Sequence, residues 1–319
     1  MKASFFKETG EPSVLEYGEF SDPHSEEGEV LVRVKSCALN RIDVWQRSGK
    51  YPLALPHIPG SDISGILENG EEVVVNPALP CGSCERCQKN LDCEFVKIIG
   101  FSTQGAYAEW ISVPKVNVYP KPKGLSFAEA ASFPLTFLTA WHMLKTRAQV
   151  KPGEAVFIWG ATGGLGVAAI QIAKQLGAHV IAGTRSMQKI EALKAVGADE
   201  VVLVQNETQF EKVDVVFETV GEATWDRSLD MLKPFGRLVL AGTTSGKEAK
   251  VDLQKLYTKQ LSIVGSRMGT QKEFEEILAL VEQGLLKPKV DRCFTLQDAV
   301  KAHEFFEAGE FVGKIVLEC

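Results

Sequence analysis

The sequence predicts an α/β protein: a doubly wound parallel sheet joined to a second, β-rich unit. From about Lys121 to about residue 265, short apolar strands alternate with helix-period segments, the pattern of a parallel sheet covered on both faces. Ahead of that region, β-branched runs are punctuated by glycine and proline clusters, as in a β-rich unit. The 319 residues, at about 150 per domain, make about two domains and can bury a core without disulfide staples.

In chain order, Val30–Val34 and Glu72–Val75 read as strands, separated by the breakers Tyr51-Pro52, Pro59-Gly60 and Asn69-Gly70. The texture changes at Lys121-Pro122-Lys123-Gly124. Strands are then expected at Ala155–Trp159, His179–Ala182, Val201–Val204, Val213–Phe217 and Arg237–Ala241. Between the first two, Leu165, Ala169, Ile172 and Leu176 recur on one face of a helix, and a second helix spans Met187–Val196 before Gly197. A helix at Lys272–Gln283 and a strand at Lys314–Leu317 complete the reading.

Hydrophobic residues at 45% and charged residues at 24% are ordinary globular values and exclude disordered and fibrous classes. A net charge of −6 offers no footprint for nucleic acid or for an anionic membrane. Met1–Gly10 has no signal-peptide apolar run, and no window reaches the ~18 apolar residues of a membrane span. The expectation is a soluble, cytoplasmic protein acting on a small molecule.

Gly160-Ala161-Thr162-Gly163-Gly164-Leu165-Gly166 follows an expected strand and opens an expected helix. Glycine there lets the backbone approach a pyrophosphate, and a helix amino terminus offers unpaired N–H groups; the alternative is a tight turn that needs glycine only for packing. The end of the next strand selects the cofactor, because an acidic residue there accepts from the ribose hydroxyls of NAD. This chain has Gly183-Thr184-Arg185-Ser186 instead. Arg185, helped by Thr184 and by Lys189 on the next helical turn, can fork a 2′-phosphate, so NADP(H) is expected over NAD(H). Solvated surface charge is the other reading of Arg185 and Lys189.

Of seven cysteines, Cys81, Cys84, Cys87 and Cys93 fall within thirteen residues. An odd count in a reduced compartment argues for metal or redox chemistry over a disulfide framework. The Cys-x2-Cys-x2-Cys-x5-Cys spacing suits one tetrahedral thiolate Zn²⁺ with four ligands at ~2.3 Å, a closed and therefore structural site. An iron–sulfur cluster is the chemical rival, but its usual Cys-Pro ending is replaced by Cys93-Glu94; four free thiols are the remaining alternative.

Taken together, these motifs resemble the medium-chain dehydrogenase/reductase superfamily over nearly the whole chain. The resemblance implies a GroES-like catalytic domain over 1–122, with a structural zinc lobe at about 78–95. A Rossmann domain would follow over 123–265, with a return to the catalytic domain over 266–319. The cysteine loop is similar to the zinc lobe, with its last gap shortened from the usual x7. Zinc alcohol dehydrogenases of the superfamily hold a catalytic metal at places matching Asn40, Gly60-Ser61-Asp62 and Leu135, where this chain supplies neither thiolate nor imidazole. One carboxylate is too few for a site needing about three protein ligands. Cys37 is offset by three residues, which on a strand turns it to the other face, and His57 in Leu55-Pro56-His57-Ile58-Pro59 reads as a loop histidine.

The motifs Asn40-x-x-Asp43, Arg47-x-Gly49-x-Tyr51-Pro52, Pro59-Gly60-Ser61-Asp62, Phe133–Trp141 and Gly163-Gly164-Leu165-Gly166 resemble the quinone oxidoreductase (zeta-crystallin-like) branch. That resemblance implies NADPH-dependent reduction of quinones or activated enones without catalytic metal, with Thr139, Ala241, Gly242 and Lys314 along the cofactor path, in a homodimer or homotetramer. The chain departs from the branch in carrying a four-cysteine lobe and in having Leu203-Val204 where Asn-Tyr is common. Charge developing on the substrate oxygen must then be met by hydrogen-bond donors. Asn40 can donate its amide or cap a turn, Tyr51 can donate its phenol or simply pack in its loop, and Arg47 can pair with a substrate tail or with Asp43. Two other functions compete: an alcohol dehydrogenase with metal on Asp62 and His57, and a zinc-stapled NADPH-binding sensor or scaffold without turnover.

Overall fold

The computed structural model describes residues 1–89, 91–205 and 210–319. The chain forms two units, one of Met1–Leu135, Thr270–Gly284 and Pro288–Cys319, the other of Thr136–Gly269 and Leu285–Lys287. Among the described residues no helix is long and apolar enough to cross a membrane.

The first unit is built on a seven-stranded sheet in the order Val290–Thr295, Lys314–Glu318, Glu29–Ala38, Asp62–Leu67, Glu72–Val75 and Val118–Pro120, with Trp110–Pro114 also paired to Glu29–Ala38. Glu29–Ala38 is the hub. It pairs antiparallel with three neighbours and carries an irregularity between Val34 and Ser36. Its core face buries Val32 and Val34 with Phe5, Phe6, Ile63, Tyr107 and Phe306. The Asp62–Leu67 strand does not announce itself, because its Ser64-Gly65 pair reads as a break. Gly65 is there for close approach: a Cβ would lie 2.3 Å from the Arg33 carbonyl oxygen. Ser64 is satisfied by donating to the Phe127 carbonyl at 2.6 Å.

The helix Phe127–Ala131 starts at Ser126, whose hydroxyl accepts from the Glu129 N–H at 3.2 Å. Its Ala131 packs on Ala38 and Val316. The first unit therefore runs to Leu135, past the composition change at residue 122, because this helix has its apolar partners on the first sheet.

The second unit holds six parallel strands in the order Glu200–Leu203, His179–Thr184, Ala155–Ile158, Val213–Glu218, Leu232–Leu240 and Ser262–Gly265. The chain starts in the middle at Ala155–Ile158, moves outward, then restarts at Val213–Glu218 on the other side. The crevice at the carboxyl ends of those two central strands is the topological switch point, where ligands bind in open α/β sheets. Helix Gly164–Gln175 buries Val167, Ile170 and Ile172, while Leu165 and Leu176 are only half-buried. Met187–Lys189 is a 3₁₀ turn leading into the α-helix Ile190–Val196. Leu232–Leu240 begins earlier than Arg237; its Pro234 has no N–H and reads as a breaker, and pairing with Val213–Glu218 shifts register before Arg237.

Gly166 has no room for a side chain, since a Cβ would stand 2.3 Å from the Gly160 carbonyl oxygen and 2.5 Å from the Ala161 Cα. Gly166→Ala is expected to destabilise the protein by about 1–3 kcal/mol through overpacking. Gly265→Ala, where nothing lies within 4 Å, should stay within about 0.5 kcal/mol; denaturant unfolding of both variants checks the contrast.

Candidate functional site

In the second unit the glycine loop carries few side chains, with Gly160 exposed and Ala161 buried. Gly160 has φ +63° and Gly163 caps helix Gly164–Gln175 without a side-chain hydrogen bond. The opening N–H groups of that helix have no intrahelical acceptor. A phosphate needs this combination of bare backbone, free N–H groups and positive helix end, and the absent Cβ at Gly166 keeps Gly160 and Ala161 packed against the helix start. Ala161 is buried and Thr162 half-buried, so the loop fits a dinucleotide pyrophosphate.

The loop is held from behind by a network that sequence reasoning missed. Glu218, fully buried, accepts from the N–H groups of Val220 at 2.7 Å and Gly221 at 3.0 Å, and from the hydroxyls of Thr224 at 2.9 Å and Ser228 at 2.6 Å. The Trp159 indole N–H, one residue before the loop, donates to the Ser228 hydroxyl at 2.7 Å. Its partners all lie within ten residues downstream, but only the turn after its strand, folded back over the carboxylate, brings them to one point, and Trp159 joins from a separate segment.

Thr184 ends its strand buried and its hydroxyl accepts from the Ser186 N–H at 3.1 Å. Arg185 is exposed, with no protein hydrogen bond among the described residues, and Lys189 is half-buried. The Ala241 N–H donates to the Glu218 carbonyl at 3.1 Å and Gly242 has φ +105°, which puts both at the carboxyl end of the sheet. Thr139 lies buried in helix Pro134–Trp141.

In the first unit, the Sγ atoms of Cys81, Cys84, Cys87 and Cys93 lie within 4.8 Å of one another, and Cys81 and Cys87 are 3.9 Å apart. A tetrahedron with metal–sulfur bonds of about 2.3 Å has edges of about 3.8 Å, so the four thiols fit a closed zinc site. Backbone N–H groups also point at the sulfurs, from Cys81 and Phe95 to Cys93 at 3.2 and 3.3 Å and from Cys84 to Cys81 at 3.4 Å. The five-residue gap thus brings Cys93 into the cluster. Asn90 lies outside the described residues.

The register of the hub strand builds a second polar cluster. Ala38 pairs with Val316 on one side and Asp62 on the other, which brings Lys314 alongside Asn40 and next to Asp62. Lys314 Nζ donates to Asn40 Oδ1 at 2.6 Å and to Asp62 Oδ2 at 2.7 Å. Asn40 Nδ2 donates to Asp62 Oδ2 at 2.9 Å and to the Ala38 carbonyl at 3.3 Å. Asp62 Oδ1 accepts from the Leu135 N–H at 2.7 Å. Asn40, Asp62 and Leu135 therefore do converge, but around an ammonium. A dication does not fit there: the two oxygen donors already hold Lys314, and among the described residues no sulfur or imidazole joins them. Asn40 opens helix Arg41–Arg47 in a capping box with Asp43, whose carboxylate accepts from the Asn40 N–H at 2.8 Å.

Other expected positions fall elsewhere. The Tyr51 ring packs edge-on against Phe101 at 5.4 Å, and its hydroxyl has no hydrogen-bond partner among the described residues. Arg47 pairs with neither Asp43 nor an open space; 1% exposed, it forks Glu307 at 2.8 Å and donates to the Gly10 carbonyl at 2.6 Å. Its partner is about 260 residues away in sequence and could not be read locally. The Nε2 of His57 is 3.0 Å from the Gly100 carbonyl and 3.1 Å from Gln46 Nε2, and burial holds its pKa down.

Asp43 sits beneath the cluster. Its Oδ2 accepts from the Asn40 N–H at 2.8 Å and the Tyr107 hydroxyl at 3.3 Å, and that hydroxyl is also 3.2 Å from His303 Nε2. Burial pushes Asp43 up to about 7, against the pull of the Asn40 N–H and the Lys314 charge, while Asp62 raises it further. Burial likewise pushes His303 down to about 3, leaving it neutral. A carboxyl raised from 3.8 to about 7 contributes stability that is complete below its unfolded value and lost as pH rises through the folded one. Asp43→Asn should therefore flatten the fall in melting temperature between about pH 4 and about pH 7, measured by calorimetry beside the parent chain.

Comparison with known proteins agrees with this architecture. Residues 26–123 match the family model of the alcohol dehydrogenase GroES-like domain, and residues 164–283 that of the zinc-binding dehydrogenases. Acryloyl-coenzyme A reductase of Sulfurisphaera tokodaii is 30% identical over 94% of this chain and 95% of its own length. Human quinone oxidoreductase is also 30% identical, over 99% of this chain and 97% of its own. Among solved structures, an NAD-dependent alcohol dehydrogenase is 40% identical with a TM-score of 0.93 over all of both chains. The cobalt- and zinc-bound alcohol dehydrogenase of Pyrobaculum aerophilum is 36% identical, also at 0.93, over 100% of this chain and 99% of that one. The chain belongs to the medium-chain dehydrogenase/reductase superfamily and is an oxidoreductase of its enoyl or quinone reductase type.

Proposed function

We propose that this protein is an NADPH-dependent reductase of quinones or other activated α,β-unsaturated carbonyls, with a structural zinc in its cysteine lobe and no metal at its reactive centre. The observation that carries the reading is the ammonium of Lys314 standing where Asn40, Asp62 and Leu135 converge. A positive charge already occupies that place as part of the chain. The names of similar proteins support the substrate class, since they include an acryloyl-coenzyme A reductase and a quinone oxidoreductase.

NADPH, when bound, supplies the hydride; the chain binds, orients and balances charge. The N–H groups opening helix Gly164–Gln175 hold the pyrophosphate. Arg185, with Thr184 and Lys189 beside it, takes the 2′-phosphate, where a carboxylate would select the unphosphorylated ribose. Thr139, Ala241 and Gly242 border the nicotinamide path. Tyr51 contributes an unspent phenol to the substrate side.

The alcohol dehydrogenase reading has two similar alcohol dehydrogenase structures in its favour. Its metal would have to displace Lys314 from Asp62, and the Nε2 of His57 already lies within hydrogen-bond distance of the Gly100 carbonyl and the Gln46 amide, serving one or the other according to its tautomer. Stopped-flow NADPH oxidation over quinones, 2-alkenals, enones and enoyl thioesters, beside metal analysis, tests the choice. The expected outcome is turnover with at least one class and about one zinc per chain. A second tightly held zinc whose removal abolishes turnover would establish the dehydrogenase reading instead. Arg185→Ala should weaken NADPH binding about tenfold or more, the value of a charge-assisted phosphate contact, and leave NADH binding nearly unchanged; titration of cofactor fluorescence measures both.

A further inference from the structure

The polar cluster of the first unit holds one donor too many. Lys314 is 4% exposed, and an ammonium carries three N–H donors. Two are accounted for by Asn40 Oδ1 at 2.6 Å and Asp62 Oδ2 at 2.7 Å. The third has no acceptor among the described residues. The neighbouring Ser61, fully buried, also has its hydroxyl unpartnered. Buried polar groups are almost always hydrogen-bonded, and an exception calls for a reason. Asn40, by contrast, has nothing to spare: both amide protons go to Asp62 and the Ala38 carbonyl. Its role is to point the ammonium, with its Oδ1 and the Asp62 carboxylate fixing two of the three Nζ–H directions.

We propose that Lys314 Nζ, rather than the Asn40 amide, is the donor that holds the carbonyl oxygen of an activated enone, quinone or enoyl thioester as that oxygen gains charge. The assignment rests on the reductase reading above and departs from the residue match that puts Lys314 on the cofactor path. The electrophilic carbon accepts a hydride, the carbon–carbon π pair shifts one bond toward the carbonyl, the carbonyl π pair moves onto oxygen, and the two electrons come from the reduced nicotinamide, which is oxidised. The third Nζ–H stabilises the oxygen anion, and a solvent proton then completes the product, with Lys314 still an ammonium. Charge-assisted donation from a buried, preorganised group is a strong form of such stabilisation. Asn40 and Asp62 act here as positioning residues.

The test compares the parent chain with Lys314→Met/Asp62→Asn and with Lys314→Arg. The double variant removes both charges, so that neither is left buried alone, and the arginine variant keeps a cation. Single-turnover hydride transfer in the double variant should slow about 100-fold, the usual loss with one oxyanion donor, while its NADPH dissociation constant changes less than about twofold. Independently of turnover, bound 4-nitrophenol serves as a mimic of a quinol anion. Its phenolate absorbance should appear at lower pH on the parent chain and on Lys314→Arg than on the double variant. Hydride transfer at the parent rate, a loss of NADPH affinity large enough to account for the slowing, or identical nitrophenol titrations would overturn the assignment. Absence of NADPH oxidation by the parent chain with every substrate class would instead sink the reductase reading, and the nitrophenol titrations would still decide the role of Lys314.

Discussion

Lys314 and Asp62 face each other at 2.7 Å with 4% and 0% of their side chains exposed, and each element that frames the first unit's polar cluster is tied to that pair. Two charges removed from water are tolerable only when geometry and further hydrogen bonds offset their lost hydration. Here the geometry comes from the hub strand: its register with Lys314–Glu318 and with Asp62–Leu67 delivers both groups to one end of the sheet. The further bonds come from Asn40 and from the Leu135 N–H. A slip of one residue in either ladder would send one of the charges to the opposite face. The pair therefore makes the strand register specific.

The second unit solves a different problem, which is to expose backbone without leaving it loose. Its glycine loop is built of residues with little or no side chain, and such a loop loses the most conformational freedom on folding. Glu218 compensates by collecting Val220, Gly221, Thr224 and Ser228, with Trp159 linked through Ser228. A buried carboxylate with four donors is expensive to desolvate and correspondingly unforgiving of rearrangement. The loop can then present a rigid cradle although its own residues supply little packing.

The cysteine lobe is the third device. Its residues have little apolar surface of their own, and Leu91 and Phe95 are exposed. Four converging thiols with backbone N–H groups aimed at them provide an alternative to a core. Metal there would stabilise the fold of a loop that hydrophobic burial cannot hold.

Much of this was legible in the residue string because it depends on local pattern. The alternating strands and helices of the second unit, the glycine loop, the missing acid before Arg185 and the thiol spacing each lie within a short window, where periodicity and steric need act directly. The strand Asp62–Leu67 was illegible because close contact with Arg33, a tertiary fact, is what requires its glycine. Arg47 was open for the same reason, its carboxylate being supplied by Glu307 from the far end of the chain. The amino-acid sequence by itself determined the fold class, the glycine loop between its strand and helix, and the set of thiols. Only the tertiary structure decided that Asn40, Asp62 and Lys314 form one cluster, because strand register, which no local window contains, sets who meets whom across a sheet.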